Sequence, residues 1–292
     1  MIDAEVVHAA GAELGEGCVW SPVEDLLVWV DINAQAVHRF DHAAAQPVGT
    51  WRYPDTVGNA APRAGGGLAL GLGNAVALTD RAGAVSSMIE LPGEPGTNRA
   101  NDGAVDPHGR LFQGTMSNTE PGAPVAALYR VDGDGTARRV LSDVMISNGM
   151  GWSPDHSTMY YIDTLTLRID RFDYDPDTGE IDGRRPFVSF DGSAGFPDGM
   201  TTDAEGCLWV AFFGGSHVQR ISPDGENLET VATPGSPQTT CCCFGGPDLD
   251  TLYITTAREP IAGVSTEGEP NAGALFAADV DAVGVPTNLF AG

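Results

Sequence analysis

Four short stretches of the chain pair an oxygen-bearing side chain with a nearby glycine: Glu16-Gly17, Asn101-Asp102-Gly103, Asn148-Gly149 and Asp198-Gly199. The first residue of each lies five positions ahead of a polar turn, at Ser21, Asp106, Ser153 and Asp203. Taken alone, an Asn-Gly or Asp-Gly pair is an ordinary hairpin turn. Four of them in one phase point to a shared task. Two carboxylates, Glu16 and Asp198, with the amide of Asn148 make a hard, all-oxygen donor set with positions left open for water. Such a set suits Ca²⁺, Mg²⁺ or Mn²⁺ better than a soft metal. Converging carboxylates repel one another unless a cation joins them or their pKa values rise.

Segments this far apart meet only if the fold repeats. A polar turn followed by a short apolar strand recurs as Ser21-Pro22 before LLVWVD, Ala61-Pro62 before GGLALG and Asp106-Pro107 before RLFQGT. It returns as Ser153-Pro154 before MYYIDT, Asp203-Ala204 before CLWVAF and Gly246-Pro247 before TLYITT, the starts lying 40–50 residues apart. Helical periodicity is scarce, and β-branched and aromatic runs alternate with Gly, Pro, Asp and Asn clusters. A period of this length with about four strands per copy is the signature of propeller blades. The chain is expected to be all-β, a six-bladed β-propeller forming one domain over residues 1–292. The strand around Glu5-Val6-Val7 should pair into the last blade and close the ring, which removes free edges. Counting five residues back from each turn places Glu16, Thr56, Asn101, Asn148, Asp198 and Cys241 at equivalent positions facing the central channel. The glycines behind four of them would permit tight backbone approach there.

Composition narrows the chemistry. The chain has 292 residues, with 40 acidic against 15 basic side chains and a formal net charge of -25. Every basic residue is Arg, which excludes a Schiff-base lysine, a P-loop lysine and a lysine general base. A pI near 4.2 argues against nucleic acid and anionic membranes as partners, because counterion-release binding needs a basic footprint. The acidic start, Met1-Ile2-Asp3-Ala4-Glu5, lacks the positive charge of a signal peptide, and no apolar run approaches ~20 residues. A cytoplasmic protein is expected. Of five cysteines, Cys241, Cys242 and Cys243 are consecutive, and strand neighbours point to opposite faces, so buried free thiols are expected rather than a disulfide ladder. No CxxC pair or HExxH motif is present, which disfavours a zinc site of the usual nitrogen and sulfur kind. Asp173 to Gly179 is similar to a calcium loop, but its glycine is one place late and the twelfth-position Glu is missing, so it reads as a hairpin turn. Asp132-Gly133-Asp134-Gly135 reads the same way. Asp191-Gly192-Ser193-Ala194-Gly195 is not GxSxG, and no strand-to-helix pattern surrounds it.

The ordered set of Leu14-Gly15-Glu16-Gly17 with Trp20, Asn98-Arg99-Ala100-Asn101-Asp102-Gly103, Gly114-Thr115-Met116 and Ile146-Ser147-Asn148-Gly149 resembles the gluconolactonase, senescence marker protein and luciferin-regenerating enzyme family. Phe172-Asp173-Tyr174-Asp175, Phe196-Pro197-Asp198-Gly199-Met200 and Cys242-Cys243-Phe244-Gly245-Gly246 continue the resemblance over nearly the whole chain. The resemblance implies a six-bladed propeller with one divalent metal in the channel, held by Glu16, Asn148 and Asp198. It leaves room for Zn²⁺ or Fe²⁺ beside the harder ions. It also implies that Arg99 and Asn101 bind substrate and that Asp198 is the candidate base. Where some members carry a Glu for substrate contact, this chain has Ser117, Asn118 and Thr119, with Glu120 one place further. Cys18 stands where proline is usual.

The expected activity is therefore a metal-dependent opening of a small sugar lactone, the small-molecule partner, to the aldonic acid. Two alternatives use the same features. A metal-dependent esterase or phosphotriesterase would share the metal residues and differ in substrate profile. A non-catalytic binding platform would need surface hot spots and no buried carboxylate ring.

Overall fold

The computed structural model describes residues 1–260 and 263–292. Six sheets arranged as blades account for the strands described. The innermost strands are Gly15–Ser21, Val57–Pro62, Asn98–Val105, Ser147–Trp152, Phe196–Thr202 and Thr239–Gly245. Each begins a four-stranded antiparallel meander, the natural product of short β-forming runs joined by tight turns. The last blade takes its outer strand, Glu5–His8, from the other end of the chain. Ile2–Asp3 runs parallel to the outer strand of the fifth blade. Among the described residues no helix is long and apolar enough to cross a membrane.

Because side chains alternate across a strand, each blade is apolar on both faces and must bury both. Apolar clusters fill the seams between consecutive blades. In the seam between the fourth and fifth blades, Tyr160, Ile162 and Ile169 meet Met200, Leu208 and Phe212. In the next seam Trp209 and Ala211, of opposite parity to Leu208 and Phe212, face Cys242, Phe244 and Ile254. The cysteine run divides in the same way: Cys241 and Cys243 pack with Cys18 in the seam of blades six and one. All five thiols are free and buried, so they serve as small apolar fillers.

Each inner strand breaks its ladder with a bulge at the same height. The residues opposite no regular partner are Gly17 and Cys18, Gly58 and Asn59, Asn101 and Asp102, Asn148 and Gly149, Asp198 and Gly199, and Thr240. This shared irregularity corrects the expected register. Counted from the pairs Trp20↔Leu27, Pro62↔Leu68 and Phe244↔Leu252, the positions equivalent to Glu16 are Gly58 and Thr240 rather than Thr56 and Cys241. Gly58 has no side chain, and Thr240 donates its hydroxyl to the Gly15 carbonyl at 2.6 Å, so neither of these two positions brings a carboxylate or amide oxygen to the channel.

The segment after the last strand crosses the far end of the ring. The Ala204 N–H donates to the Val283 carbonyl, Asn288 Nδ2 donates to the Val105 carbonyl at 2.9 Å, and the Phe290 N–H donates to the Pro62 carbonyl. Blades five, three and two are thereby tied across the channel. A cavity of about 440 Å³, lined by Cys18, Trp20, Met150, Met200, Phe244 and Val285 among others, fills that half of the channel.

Candidate metal centre

At the opposite, N-terminal ends of the inner strands the bulges turn their side chains to the channel axis. Glu16, Arg99, Asn101, Asn148 and Asp198 are all buried here. Two of the glycines behind them allow a tight backbone approach, and it is between neighbouring inner strands. A Cβ on Gly149 would lie 2.7 Å from the Asp198 carbonyl oxygen, and one on Gly199 would lie 2.8 Å from the Cys241 Cα. Glycine thus lets neighbouring inner strands pack together, which draws their acidic and amide side chains toward one point.

Hydrogen bonds bind the cluster. Arg99 Nη1 donates to Asn101 Oδ1 at 2.6 Å and to the Ala100 carbonyl at 2.9 Å. Asn101 Nδ2 donates to Asn148 Oδ1 at 2.9 Å and to the Ser147 carbonyl at 2.8 Å. Asn148 Nδ2 donates to Thr164 Oγ1 at 2.7 Å, and that hydroxyl donates to the Pro197 carbonyl at 2.9 Å. Glu16 Oε2 accepts the N–H of Gly17 at 3.0 Å. Asp198 Oδ1 is buried and has no partner.

An unpartnered buried carboxylate oxygen is costly, and the electrostatics repeat the point. Burial pushes Glu16 up to about 8; the charge of Asp102 adds to this, while the Gly17 N–H and Arg99 oppose it. Burial likewise holds Asp198 well above the usual carboxylate range, with Glu16 and then Asp102 reinforcing the shift and Arg99 opposing it. Asp102 is itself raised to about 6 by burial, against the Gly103 N–H. Arg99, drawn down to about 10 by burial against the pull of Glu16 and Asp198, forms no ion pair with either among the described residues. The two acids therefore lack a partner of opposite charge.

A divalent cation would balance the charge of these two acids. Among the described residues no three His, Cys, Asp or Glu side chains gather as a metal-holding group, so two acids must be completed by a neutral oxygen. Asn148 Oδ1 can supply it, because an amide oxygen has a second lone pair beyond the one that Asn101 uses. Glu16, Asn148 and Asp198 form a donor set suited to hard ions.

A linkage effect follows for the cation-free protein. The Glu16 carboxyl titrates at 4.5 without the fold and at about 8 within it. Between those values the folded state holds a proton that the unfolded state has lost, so rising pH favours unfolding. In chelator the melting temperature should therefore fall from pH 5 to pH 8, and Glu16→Gln should reduce that fall. A melting temperature that is flat or rises across this window would contradict the assignment.

Two members of this neighbourhood carried no distinguishing signal in the sequence. Asp102 was visible only as part of the Asn-Asp-Gly stretch, and Thr164 ends the MYYIDT run with nothing to mark it as a neighbour of Asn148. The residues standing where some family members carry a Glu differ in exposure. Ser117 is buried, its hydroxyl accepting the Glu120 N–H at 3.1 Å, so it is turned into its own loop; Asn118, Thr119 and Glu120 are exposed.

A model of the SMP-30/Gluconolactonase/LRE-like region matches residues 14–258. The chain belongs to that family. Regucalcin of Danio rerio is 39% identical over 278 residues, covering 94% of this chain and 93% of that protein. A Bacillus subtilis protein, YvrE, provisionally named a sugar lactone lactonase, is 36% identical over 293 residues, covering 100% of this chain and 99% of its own. The solved structure of a calcium-binding protein, regucalcin, from Agrobacterium tumefaciens superposes with a TM-score of 0.92 at 28% identity, covering 99% of this chain and 97% of the other. Luciferin-regenerating enzyme superposes with a TM-score of 0.91 at 30% identity, covering 99% of each chain.

Proposed function

We propose that this SMP-30/gluconolactonase family member is a divalent-metal-dependent hydrolase that opens a sugar lactone to its aldonic acid. The observation that carries the reading is the buried pair Glu16 and Asp198, with Asp198 Oδ1 unpartnered, beside the Asn148 amide oxygen. The family membership and the naming of YvrE supply the substrate class. The calcium-binding regucalcin relative agrees with a hard ion, Ca²⁺, Mg²⁺ or Mn²⁺.

Held by Glu16, Asn148 and Asp198, such a cation would act as a Lewis acid on the lactone carbonyl. Asp198 is the group that receives a proton from the attacking water, or orients that water, through the carboxylate oxygen not committed to the cation. Arg99 and Asn101 position the sugar. Arg99 Nη1 is committed to the protein, and its remaining N–H groups have no protein acceptor among the described residues, so they are available for substrate oxygens. The net charge of -25 favours departure of the anionic product without penalising a neutral substrate.

Acid release from a panel of pentono- and hexonolactones, with and without chelator, tests the reading. Hydrolysis of phosphotriesters with none of lactones would replace it by the esterase alternative, and no hydrolysis of either would leave a binding platform. A second expectation concerns the loop after Ser117, which pairs with Asn98 beside Arg99. Thr119→Glu should change the ratio of specificity constants between pentono- and hexonolactones several-fold, because a carboxylate makes stronger hydrogen bonds to sugar hydroxyls than a threonine does. An unchanged ratio would remove this loop from the substrate site.

A further inference from the structure

The hydrogen bonds of the cluster form a directed chain whose members cannot exchange roles. At one end the Arg99 guanidinium has only donors, so the Asn101 atom at 2.6 Å must be Oδ1. Asn101 Nδ2 then faces two oxygens, the Ser147 carbonyl and Asn148 Oδ1. At the other end the Pro197 carbonyl can only accept, so it takes the single hydroxyl proton of Thr164. Toward Asn148, Thr164 Oγ1 can therefore only accept, and it meets Nδ2 at 2.7 Å. Both ends agree that the Asn148 amide turns its oxygen away from Thr164.

Thr164 is well placed to enforce this. It is 6% exposed and opens the 3-10 turn Thr164–Thr166 at the end of a strand. Its N–H donates to the Ile146 carbonyl at 3.1 Å. The preceding Asp163 carboxylate accepts the N–H groups of Met145 and Ile146 at 3.2 and 3.0 Å. The turn is thus fixed to the segment leading into Asn148. Its hydroxyl reaches the next blade, at the residue immediately before Asp198.

We infer that Thr164 is a positioning residue of the cation site: its hydroxyl fixes the amide orientation of Asn148 and the spacing between Asn148 and Asp198. This rests on the reading that Glu16, Asn148 and Asp198 hold a divalent cation. Valine has nearly the shape of threonine without the hydroxyl. In Thr164→Val, Asn148 Nδ2 loses its acceptor, the Pro197 carbonyl loses this donor, and the hydrogen-bonded link through Thr164 between the two ligand-bearing strands is gone. Partners that orient metal ligands typically change affinity 10–100-fold.

The test is calorimetric titration of Mn²⁺ into chelator-stripped wild type, Thr164→Val and Thr164→Ser, with melting temperatures of the metal-free proteins in parallel. The valine variant should bind Mn²⁺ about tenfold or more weakly while melting within a few degrees of wild type. Serine, which keeps the hydroxyl, should restore the affinity. Wild-type affinity in the valine variant, or failure of serine to restore it, would overturn the inference. If the valine variant does not fold, Thr164→Ala is measured in its place; failure of both would overturn the inference too, by showing that the hydroxyl serves the fold. A wild type that binds no Mn²⁺, Mg²⁺ or Ca²⁺ would remove the cation reading itself, and that result is distinct because it appears before any variant is measured.

Discussion

Replacing Asp198 by asparagine should depress turnover by about 10²-fold or more even at saturating cation, the usual scale for losing a positioned base. The amide keeps the shape of the carboxylate but cannot take a proton. Asp198 also differs from its neighbour in what its oxygens do: Oδ1 has no partner, whereas Glu16 Oε2 already accepts the Gly17 N–H. Glu16→Gln, measured under the same saturation, should therefore recover much of its rate. Following turnover against cation concentration separates the two roles, since a binding defect is titrated away and a chemical defect persists. Full turnover in Asp198→Asn would assign the proton transfer elsewhere.

Dialysis of the wild-type protein against chelator should abolish lactone hydrolysis, and Mn²⁺ or Ca²⁺ should restore it. The expectation comes from the charge balance of the site, where two buried acids face each other and Arg99 pairs with neither. Affinity should respond to charge in the same way. Glu16→Gln and Asp198→Asn each remove one negative charge and should weaken binding more than the neutral change Asn148→Ala. Titration of the stripped variants with Mn²⁺ reads the order directly. Undiminished activity after exhaustive chelation would end the metal mechanism altogether, and the strongest effect appearing in Asn148→Ala would show geometry outweighing charge.

The amino-acid sequence by itself determined the architecture, because a blade is specified locally. A strand of six residues and the turn that follows it are written in adjacent positions, as in LLVWVD after Ser21-Pro22, and six copies at regular spacing leave few ways to bury twelve apolar blade faces. The phase of Glu16, Asn101, Asn148 and Asp198 was legible for the same reason: all four keep a constant distance from a recognisable turn. The tertiary structure decided what local spacing cannot carry. The bulges shift the register in blades two and six, so Gly58 and Thr240, not Thr56 and Cys241, share the height of Glu16. The glycines of the motif serve contact between neighbouring strands, a demand set by Asp198 and Cys241 on other blades. The hydrogen bond from Asn101 to Asn148 joins residues 47 positions apart, and Thr164 enters the cluster only because its turn closes over the seam to Pro197. Such partners are chosen by which strands the ring brings side by side, and a donor's choice of acceptor across a seam leaves no periodic trace in the chain.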